Sequence, residues 1–366
     1  MNTKNKHIVI VTSEFPPQPG GIGNHAYNLA LYLSKNNYKV TVIADQRAVL
    51  NEVEKAFDNT LPFLVKRISL KKLRVLMYLD RIIKTLQTII KGDFIIATGK
   101  FSLWNVALCT LFVKRPNMAV IHGTEVNFKS SSLRNAINIS LKRFDCIVAV
   151  SNYTKQLVTH LKTNVEVIPN GIDANQWTNN VSDLQLIGSP VITTVGRVSI
   201  RKGQLQVIKM LPDLVKEYPK THYHCVGIKG ESEAFLAEAK RLGVDEHITF
   251  HGILNDDDLK RVLLATDVFI MLSQESVTGD VEGFGIAILE ANALGIPAIG
   301  AKNCGIEDAI DDGVTGFLID GKDSAALKNS LDSILEKKQV FQENSKEWAK
   351  QHDWNQLIKR YIALIP

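Results

Sequence analysis

The strongest constraint on the fold is a series of short, continuously apolar segments that alternate with segments of helical periodicity. Strands that are apolar at nearly every position are buried on both faces, which is typical of a parallel sheet covered by helices. In the first half of the chain the apolar segments are His7–Val11, Lys39–Ala44, Phe94–Ala97, Met118–Ile121, Cys146–Val150 and Val165–Ile168. The series restarts with Val191–Val195, His222–Val226, Ile248–Phe250, Val268–Met271, Ala298–Ile299 and Phe317–Ile319. The pattern predicts an α/β chain with two parallel sheets.

The length supports two domains, since 366 residues exceed what one hydrophobic core usually serves. Between the two series lies the turn-forming segment 168–173, which predicts a crossover between the domains. We therefore expect Rossmann-like domains at residues 1–170 and 171–345, and a helical segment at 346–366 that returns to the first domain. Ligands of such sheets bind beyond the carboxyl ends of the strands, so two sheets that face each other across a cleft would bind substrates there.

The charge of the chain is unevenly distributed. Residues 1–170 contain 23 Lys and Arg against 10 Asp and Glu, although the net charge of the whole chain is only +5. This asymmetry predicts an anionic partner for the first half. No apolar segment approaches the length that spans a bilayer, and the N-terminal apolar run is too short for a signal peptide. The four scattered cysteines are typical of free thiols in a reducing compartment, so we expect a cytoplasmic protein.

A glycine-rich loop, Pro19–His25, follows the first strand. Its spacing Gly21-x-Gly23-x-x-Ala26 matches part of a dinucleotide fingerprint, and Asp45 ends the second strand. The fingerprint needs its glycines in a tight turn directly after the strand, whereas here residues 13–20 intervene. This disfavours NAD binding. The remaining interpretations are a close backbone approach at the start of a helix, and amide groups that bind a diphosphate.

The first strand of the second half leads into the sequence Gly196–Gly203, in which Arg197 and Lys202 precede a helix expected from near Gln204. Two cations at the carboxyl end of a strand, beside a helix N-terminus, suit an anion with more than one negative charge. They would stabilise a nucleoside diphosphate as a leaving group without a metal. A solvated basic turn is the alternative, and we expect Arg201 to be a surface residue.

Glu290 is the only charged residue between residues 283 and 301. The helix predicted around it is apolar on all sides and should be buried, and a buried carboxylate needs hydrogen-bond partners. Those partners are either backbone amides or the two hydroxyl groups of a ribose. Glu282 precedes the same helix, and the glycines that follow it let backbone amides face an anion at the helix start. Glu282 would then reach hydroxyl groups on whatever is attached to that anion.

The spacing of Glu282 and Glu290, with Glu-Gly-Phe-Gly at its start, resembles the signature of retaining GT-B glycosyltransferases of the glycosyl-transferases-group-1 (glycogen-synthase-like) superfamily. The Gly-Gly loop, a His-Gly after a middle strand, the crossover sequence and Gly-Arg…Lys-Gly occur in the family's order across nearly the whole chain. The resemblance implies catalytic roles for His122, Glu282, Arg197 and Lys202. It implies substrate contacts from Gly20, Gly21, Glu125, Ile253, Leu254, Gly283, Phe284, Gly285 and Glu290.

The resemblance also assigns these residues to parts of the donor. The two cations bind the diphosphate, and the base lies near His251–Leu254. Glu290 binds the ribose, and Glu282 contacts the donor sugar. His122 follows a buried strand, where a lone histidine is more often structural, but the resemblance implies that it contacts the sugar near the anomeric centre. Glu125 would orient an acceptor hydroxyl.

One segment departs from the family pattern. The loop Gln274–Val281, before the acidic pair, is longer than usual and resembles the phosphatidylinositol mannosyltransferase branch. We expect this loop to determine the specificity for the donor sugar. The acidic run Asn255–Asp258 suggests a metal site, but it directly precedes a helical segment and fits an N-cap with acids on the helix dipole. We therefore expect no metal and no cofactor, with a UDP- or GDP-sugar as a substrate.

Residues 66–91 contain eight Lys or Arg and one acid, Asp80, with apolar residues at helical spacing. Three interpretations are open: a surface helix with solvated charges, docking on anionic lipid, and nucleic-acid binding. Interleaved aromatic residues or a known module would favour nucleic acid, and neither is present. Each basic side chain contributes about 1 kcal/mol near an anionic membrane. Because such transferases often act on lipid-linked acceptors, we expect peripheral docking on the inner face of the cell membrane.

The sequence thus predicts a retaining hexosyltransferase that moves mannose, glucose or N-acetylglucosamine from a nucleotide sugar to a lipid-linked or glycan acceptor in cell-envelope polysaccharide or glycolipid synthesis. No candidate nucleophile stands out, which favours front-side displacement. A nucleotide-sugar epimerase or phosphorylase of the same fold, a non-catalytic sugar-nucleotide sensor and an NAD-dependent dehydrogenase are the alternatives.

Overall fold

The structure, a computed structural model, describes residues 6–178 and 180–366. The chain divides into two compact units, of which the first comprises Met1–Gly171 with Trp354–Pro366 and the second comprises Ile172–Asp353. The predicted returning segment, 346–366, is therefore shared: its residues up to Asp353 belong to the second unit, and only the last helix belongs to the first. Within the described ranges, no helix is long and apolar enough to cross a membrane.

The first unit is built on a parallel sheet with the strand order β3-β2-β1-β4-β5-β6-β7. The strands are β1 (His7–Thr12), β2 (Lys39–Asp45), β3 (Leu64–Ile68), β4 (Phe94–Thr98), β5 (Asn117–Ile121), β6 (Cys146–Ala149) and β7 (Val165–Val167). In the central strands Val9 lies opposite Thr41 on one side and Ile95 on the other. The sequence pattern missed β3, because an edge strand with partly exposed residues lacks a continuous apolar run.

Helices cover both faces of this sheet. They are α1 (Gly21–Lys35), α2 (Glu52–Asp58), α3 (Arg74–Ile89), α4 (Lys100–Cys109), α5 (Ser131–Leu141), α6 (Asn152–Gln156) and α13 (Trp354–Ala363). On one face, Leu103 of α4 and Ile137 of α5 belong to one buried cluster with Val9 and Ile95 of the strands. The last helix, α13, packs on α1, where the fully buried Trp354 stacks on Tyr32.

The second unit repeats the architecture with the strand order β10-β9-β8-β11-β12-β13. Its strands are β8 (Val191–Val195), β9 (His222–Val226), β10 (Ile248–Gly252), β11 (Val268–Met271), β12 (Ala298–Ala301) and β13 (Gly316–Ile319). Its helices are α7 (Gln204–Glu217), α8 (Ser232–Leu242), α9 (Asp256–Leu264), α10 (Ile286–Ala293), α11 (Ser324–Glu336) and α12 (Lys338–Gln351). The two units therefore have the two Rossmann-like parallel sheets that the sequence predicts.

The two ends of the second unit lie side by side. The backbone N–H of Ile172 donates to the carbonyl of His352, and the N–H of Ala174 donates to the carboxylate of Asp353, each at 3.0 Å. The predicted crossover at 168–173 therefore contains the point where the chain enters the second unit. These hydrogen bonds join that segment to the segment at His352 and Asp353, where the chain leaves the unit.

Candidate active site

In the second unit, the turn between β8 and α7 is fixed against the end of β11. Gly203 caps α7 with φ of +84°, and a Cβ atom on this residue would lie 2.0 Å from the carbonyl oxygen of Leu272. Only glycine fits this combination of a left-handed backbone and close contact. The turn that carries Arg197 and Lys202 is thus held at the carboxyl edge of the sheet, as the sequence predicts.

At this edge, one carboxylate oxygen receives two cations. Lys202 Nζ lies 2.7 Å and Arg201 Nη1 lies 2.8 Å from Oε2 of Glu282, whose side chain is only 13% exposed. Burial by itself would raise the pKa of Glu282, but Lys202 and Arg201 more than offset this and lower it below its usual value. Arg201, which the sequence predicts to be a surface residue, keeps 30% of its side chain exposed but also pairs with this buried carboxylate. A 3₁₀ turn, Ile200–Lys202, carries both cations.

The segment after Glu282 is fixed by a second close backbone contact. The carbonyl of Glu282 accepts the N–H of Gly305 at 2.9 Å, and a Cβ atom on Gly305 would lie 2.0 Å from the carbonyl oxygen of Gly283. Phe284 is buried and packs against the His352 ring at 6.0 Å. Gly285 caps the N-terminus of α10. The amides at the start of this helix therefore lie directly beside Glu282, where they can face an anion.

Glu290 lies in α10, which is otherwise lined by apolar and small residues. The helix is less buried than its sequence suggests, because Ile286, Ala287 and Glu290 remain partly exposed. Desolvation nevertheless raises the pKa of Glu290 to about 7, with a smaller contribution from Asp256 and opposition from Lys202. In the described part of the chain, the Glu290 carboxylate makes no hydrogen bond or ion pair. Backbone amides, the structural alternative to a ribose, therefore do not bind it here.

The remaining predicted donor residues lie around these carboxylates. Arg197 is exposed, and its guanidinium has no ion pair among residues that the structure describes. Ile253 and Leu254 lie between β10 and α9, with Ile253 72% exposed. The first turn of α9 contains Asp256, whose negative charge contributes to the raised pKa of Glu290. The structure thus brings the predicted base, ribose and diphosphate residues to one edge of the second sheet.

The acidic run at the start of α9 forms the predicted cap. Asn255 is the N-cap residue, and its side chain accepts the backbone N–H of Asp258 at 2.9 Å. In residues 6–178 and 180–366, no group of three or more His, Cys, Asp or Glu side chains is arranged to hold a metal ion.

In the first unit, the glycine-rich loop opens a helix as expected. Gly20 is the N-cap of α1 and Gly21 is its first residue. Both glycines are exposed, so the amides of the first turn are accessible to a ligand. The carboxyl ends of β1, β4 and β5 lie at the same edge of this sheet.

His122 and Glu125 follow β5 at that edge and are both buried. His122 Nε2 is 2.8 Å from Oγ1 of Thr98, and burial lowers the pKa of the imidazole to about 3, so the ring is neutral at physiological pH. Glu125 Oε1 accepts the backbone N–H of His122 at 2.5 Å. Burial raises the pKa of Glu125 to about 7, and its other oxygen, Oε2, is buried without a partner in the described chain.

Asp45 has a structural partner that disfavours the NAD interpretation. Its carboxylate receives two hydrogen bonds from the Arg81 guanidinium, at 3.1 and 2.5 Å, and both side chains are largely buried. An acid that binds a ribose hydroxyl in a dinucleotide site must be available to the ligand. Asp45 therefore supports the attachment of α3 to the sheet.

Two side chains beside these sites were missed by sequence reasoning. His25 of α1 is 1% exposed, its Nε2 is 2.9 Å from the hydroxyl of Tyr361, and its ring lies 5.0 Å from that of His122. In the second unit, Gln274 joins the long loop to the β8–α7 turn. The apolar neighbours of His25 in α1 indicate a buried position, but no local signal identifies a partner 336 residues away.

Comparison with known proteins agrees with this geometry. The family described as glycosyl transferases group 1 matches residues 179–352, and the family described as glycosyltransferase family 4 matches residues 19–176. The second unit thus matches the glycosyl transferases group 1 family along most of its length, and the first unit matches glycosyltransferase family 4. The second unit, which carries Lys202, Glu282 and Glu290, is the part that the group 1 description covers.

Among similar proteins, a GDP-mannose-dependent alpha-(1-6)-phosphatidylinositol monomannoside mannosyltransferase of Mycolicibacterium smegmatis is 26% identical over 90% of this chain and 89% of its own length. A GDP-mannose-dependent monoacylated alpha-(1-6)-phosphatidylinositol monomannoside mannosyltransferase of Corynebacterium glutamicum is also 26% identical, over 91% of this chain and 89% of its own length. The crystal structure of Anabaena Alr3699/HepE in complex with UDP and glucose covers 98% of both chains at 23% identity, with a TM-score of 0.79. The predicted GT-B class, with two Rossmann-like domains, is confirmed for this glycosyltransferase.

Proposed function

We propose that the protein transfers a hexose from a UDP- or GDP-sugar to a hydroxyl group of a lipid-linked or glycan acceptor, with retention of the anomeric configuration. One observation carries the proposal. Lys202 and Glu282 lie at the same sheet edge as Glu290, a carboxylate without a hydrogen-bond partner in the described chain. This set supplies a cation for a diphosphate, an acceptor for a ribose and a second acceptor for a sugar.

The donor is bound by complementary charges and hydrogen bonds. Lys202 and the exposed Arg197 neutralise the diphosphate, together with the amides at the start of α10. The ribose hydroxyls donate to Glu290 and supply the hydrogen bonds that its carboxylate lacks. Glu282 accepts hydrogen bonds from the hydroxyls of the donor sugar. The base contacts backbone groups near Ile253.

The bond between the anomeric carbon and the diphosphate oxygen breaks as the acceptor oxygen attacks from the same face. Charge develops on the leaving diphosphate, so cations fixed before the reaction lower the barrier most. The leaving diphosphate takes the proton of the acceptor hydroxyl. In this route no protein nucleophile and no metal is needed.

In the first unit, we assign His122 to the donor sugar and Glu125 to the acceptor. His122 is neutral, so its ring can hydrogen-bond to a sugar hydroxyl without competing for the charge of the diphosphate. Glu125, with a pKa of about 7 and an unpartnered oxygen, can donate a hydrogen bond to an acceptor hydroxyl or accept one from it. The hydrogen bond from the His122 backbone N–H to the Glu125 carboxylate fixes the position of the Glu125 side chain relative to His122.

The acceptor class follows from the surface of the first unit and from the relatives. The first two turns of α3 and the residue before them expose Leu73, Val75, Leu76 and Leu79, which fits peripheral docking on a membrane that contains the acceptor. The two mannosyltransferase relatives act on phosphatidylinositol monomannosides. We therefore place the reaction in cell-envelope glycolipid or polysaccharide synthesis at the inner face of the cell membrane.

The experiment that tests the proposal starts with the donor. We expect thermal stabilisation of the protein by either GDP-mannose or UDP-sugars, transfer from the stabilising donor to a lipid-linked acceptor, and an NMR coupling constant of the product that matches the donor anomer. Activity should survive EDTA. Loss with rescue by a divalent cation, or an inverted anomer, would contradict the mechanism. Release of an isomerised sugar, or a requirement for inorganic phosphate, would instead identify an epimerase or a phosphorylase.

A further inference from the structure

Arg201 has a position that its place in the basic turn does not explain. Its side chain is 30% exposed, and its Nη1 donates to the same oxygen of Glu282 that Lys202 contacts. Lys202 is expected at the diphosphate when the donor is bound, and a lysine nitrogen that serves the diphosphate is drawn away from Glu282. Without another cation, Glu282 would then be a largely buried carboxylate with no compensating charge, which is unfavourable.

We propose that Arg201 is a positioning residue, which keeps the Glu282 carboxylate paired and directed toward the donor sugar when Lys202 turns to the diphosphate. The inference deepens the proposed function and rests on it, since it concerns the binding of a nucleotide sugar. It assigns different duties to adjacent cations: Lys202 is shared between Glu282 and the ligand, whereas Arg201 serves Glu282 in both states.

The backbone around Arg201 is built to hold such a pair. The N–H of Gln274 donates to the Arg201 carbonyl at 2.9 Å, and the Gln274 side chain donates to the Ile200 carbonyl at 3.3 Å. Gln206 in turn donates to the Gln274 side chain at 3.2 Å. Gln274 begins the loop that leads into Glu282, so both partners of the ion pair are carried by backbone segments that are hydrogen-bonded to each other.

The other contacts of the turn point the same way. The N–H of Ile200 donates to the Glu231 carboxylate at 2.7 Å, and Gly203 packs directly on Leu272. The backbone of the turn is therefore held in place, so either cation can change its partner only by a movement of its side chain. A direct phosphate contact from Arg201 would require it to leave Glu282 at the moment when Lys202 also leaves.

A double-mutant cycle separates the two roles. R201M, E282Q and the double variant are compared with the wild type by titration calorimetry with UDP, GDP, UDP-glucose and GDP-mannose. If Arg201 acts through Glu282, R201M should weaken binding of the preferred sugar nucleotide about tenfold when Glu282 is intact. This is the effect expected from the loss of one charge-assisted hydrogen bond. It should have little effect in the E282Q background.

Two results would overturn the proposal. Equal weakening by R201M in both backgrounds would make Arg201 a direct ligand of the diphosphate, and no weakening in either would make it a surface residue. R201K should restore most of the affinity, because the contact uses a single nitrogen atom. K240M, which removes an exposed charge from α8, is the matched control and should change nothing.

A ligand-free measurement distinguishes failure of this inference from failure of the proposed function. The thermal stabilities of the same four proteins at neutral pH should show coupling between Arg201 and Glu282, and the coupling should disappear when Glu282 is protonated at low pH. If the stabilities show coupling between Arg201 and Glu282 but the protein binds no nucleotide sugar, the proposed function is wrong while the ion pair is confirmed. Absence of coupling would overturn the assignment of Arg201 whatever the ligand.

Discussion

Asp45 and Arg81 form a bidentate ion pair at the carboxyl end of β2, with both side chains largely buried. The pair has two consequences. Arg81 engages the carboxylate of Asp45, which would have to bind a ribose in a dinucleotide site. Burial of Arg81 also removes one positive charge of the basic tract 66–91 from the surface. Arg67 pairs with Asp58 at 2.7 Å, and Lys84 pairs with Asp80 at 3.1 Å. Much of the positive charge in this tract is therefore structural.

The first prediction concerns how α3 meets a membrane. Exposed apolar side chains remain at the start of the helix, with Leu73 65% and Leu79 50% exposed, beside the exposed cations Lys72 and Arg74. Insertion of a leucine contributes about 2 kcal/mol, more than the roughly 1 kcal/mol of one basic residue. We expect L73Q/L79Q to reduce flotation with anionic vesicles at least about tenfold, and K72Q/R74Q to reduce it less.

The matched control is L184Q, which changes an exposed leucine of the second unit and should float like the wild type. Equal flotation of the wild type with neutral and anionic vesicles would reject docking on anionic lipid. If K72Q/R74Q reduces flotation more than L73Q/L79Q does, the basic residues contribute more to membrane binding than the leucines.

The second prediction tests the turn that carries Lys202. Alanine at Gly203 would meet the carbonyl of Leu272 as well as adopt a left-handed backbone, whereas Gly243 has φ of +70° and a Cβ atom there would have no other atom within 4 Å. G243A should cost about 1 kcal/mol, the backbone term alone. G203A should cost about 3 kcal/mol or more in urea unfolding and weaken UDP or GDP binding, because the turn must move. Equal costs would show that the contact with Leu272 is easily relieved.

The sequence was sufficient to predict which loops lie at the carboxyl ends of the strands. Continuous apolar strands identify a parallel sheet, and ligands bind at the carboxyl ends of such strands, so Arg197, Lys202 and His122 could be placed at sheet edges. The glutamates 282 and 290 could be placed at one helix because an apolar helical segment surrounds Glu290 and Glu282 precedes it. These inferences depend only on local patterns, which a parallel sheet translates directly into position.

The pairing within the site could not be predicted. Three cations lie close together in one turn, and which of them faces Glu282 depends on backbone angles set by the contact between Gly203 and Leu272. The contact of His25 with Tyr361 depends on the return of the chain to the first unit at Trp354. The exposure of Glu290 depends on what packs beside α10, and helix composition alone suggested complete burial.

The third prediction concerns the protonation of Glu125. Burial raises its pKa from 4.5 to about 7, so the folded protein holds a proton that the unfolded chain releases between these values. Stability from this group is therefore present at low pH and is lost as the pH rises toward 7, by an amount on the order of 3 kcal/mol. E125Q keeps the acceptor for the His122 backbone and cannot ionise. Relative to the wild type, it should gain that stability between pH 4.5 and pH 8.

Urea unfolding at the two pH values measures the difference, and E52Q, at an exposed site of α2, is the control without such a gain. The same variant of Glu125 should lower transferase activity at about pH 8, because the wild-type carboxylate is ionised there and accepts a stronger hydrogen bond from the acceptor hydroxyl than an amide does. A pH-independent difference in stability between E125Q and the wild type would show that Glu125 is ionised in the folded protein.

The fourth prediction concerns the ribose. Glu290 has a pKa of about 7 without ligand, and hydrogen bonds from two ribose hydroxyls favour its charged form. The affinity for UDP or GDP should rise as the pH passes from about 6 to about 8, with proton release on binding near pH 7. E290A should bind at least about tenfold more weakly and lose this pH dependence.

Calorimetry in buffers of different ionisation enthalpy measures the released proton, and a 2′-deoxynucleotide provides a control on the ligand side. If Glu290 binds the ribose, removal of the 2′-hydroxyl weakens binding to the wild type but has little effect on E290A, since the two changes remove the same contact. Unchanged affinity of E290A for the ribonucleotide would reject the ribose assignment. Additive losses would place the 2′-hydroxyl against another residue and leave the carboxylate of α10 without the partner that its surroundings require.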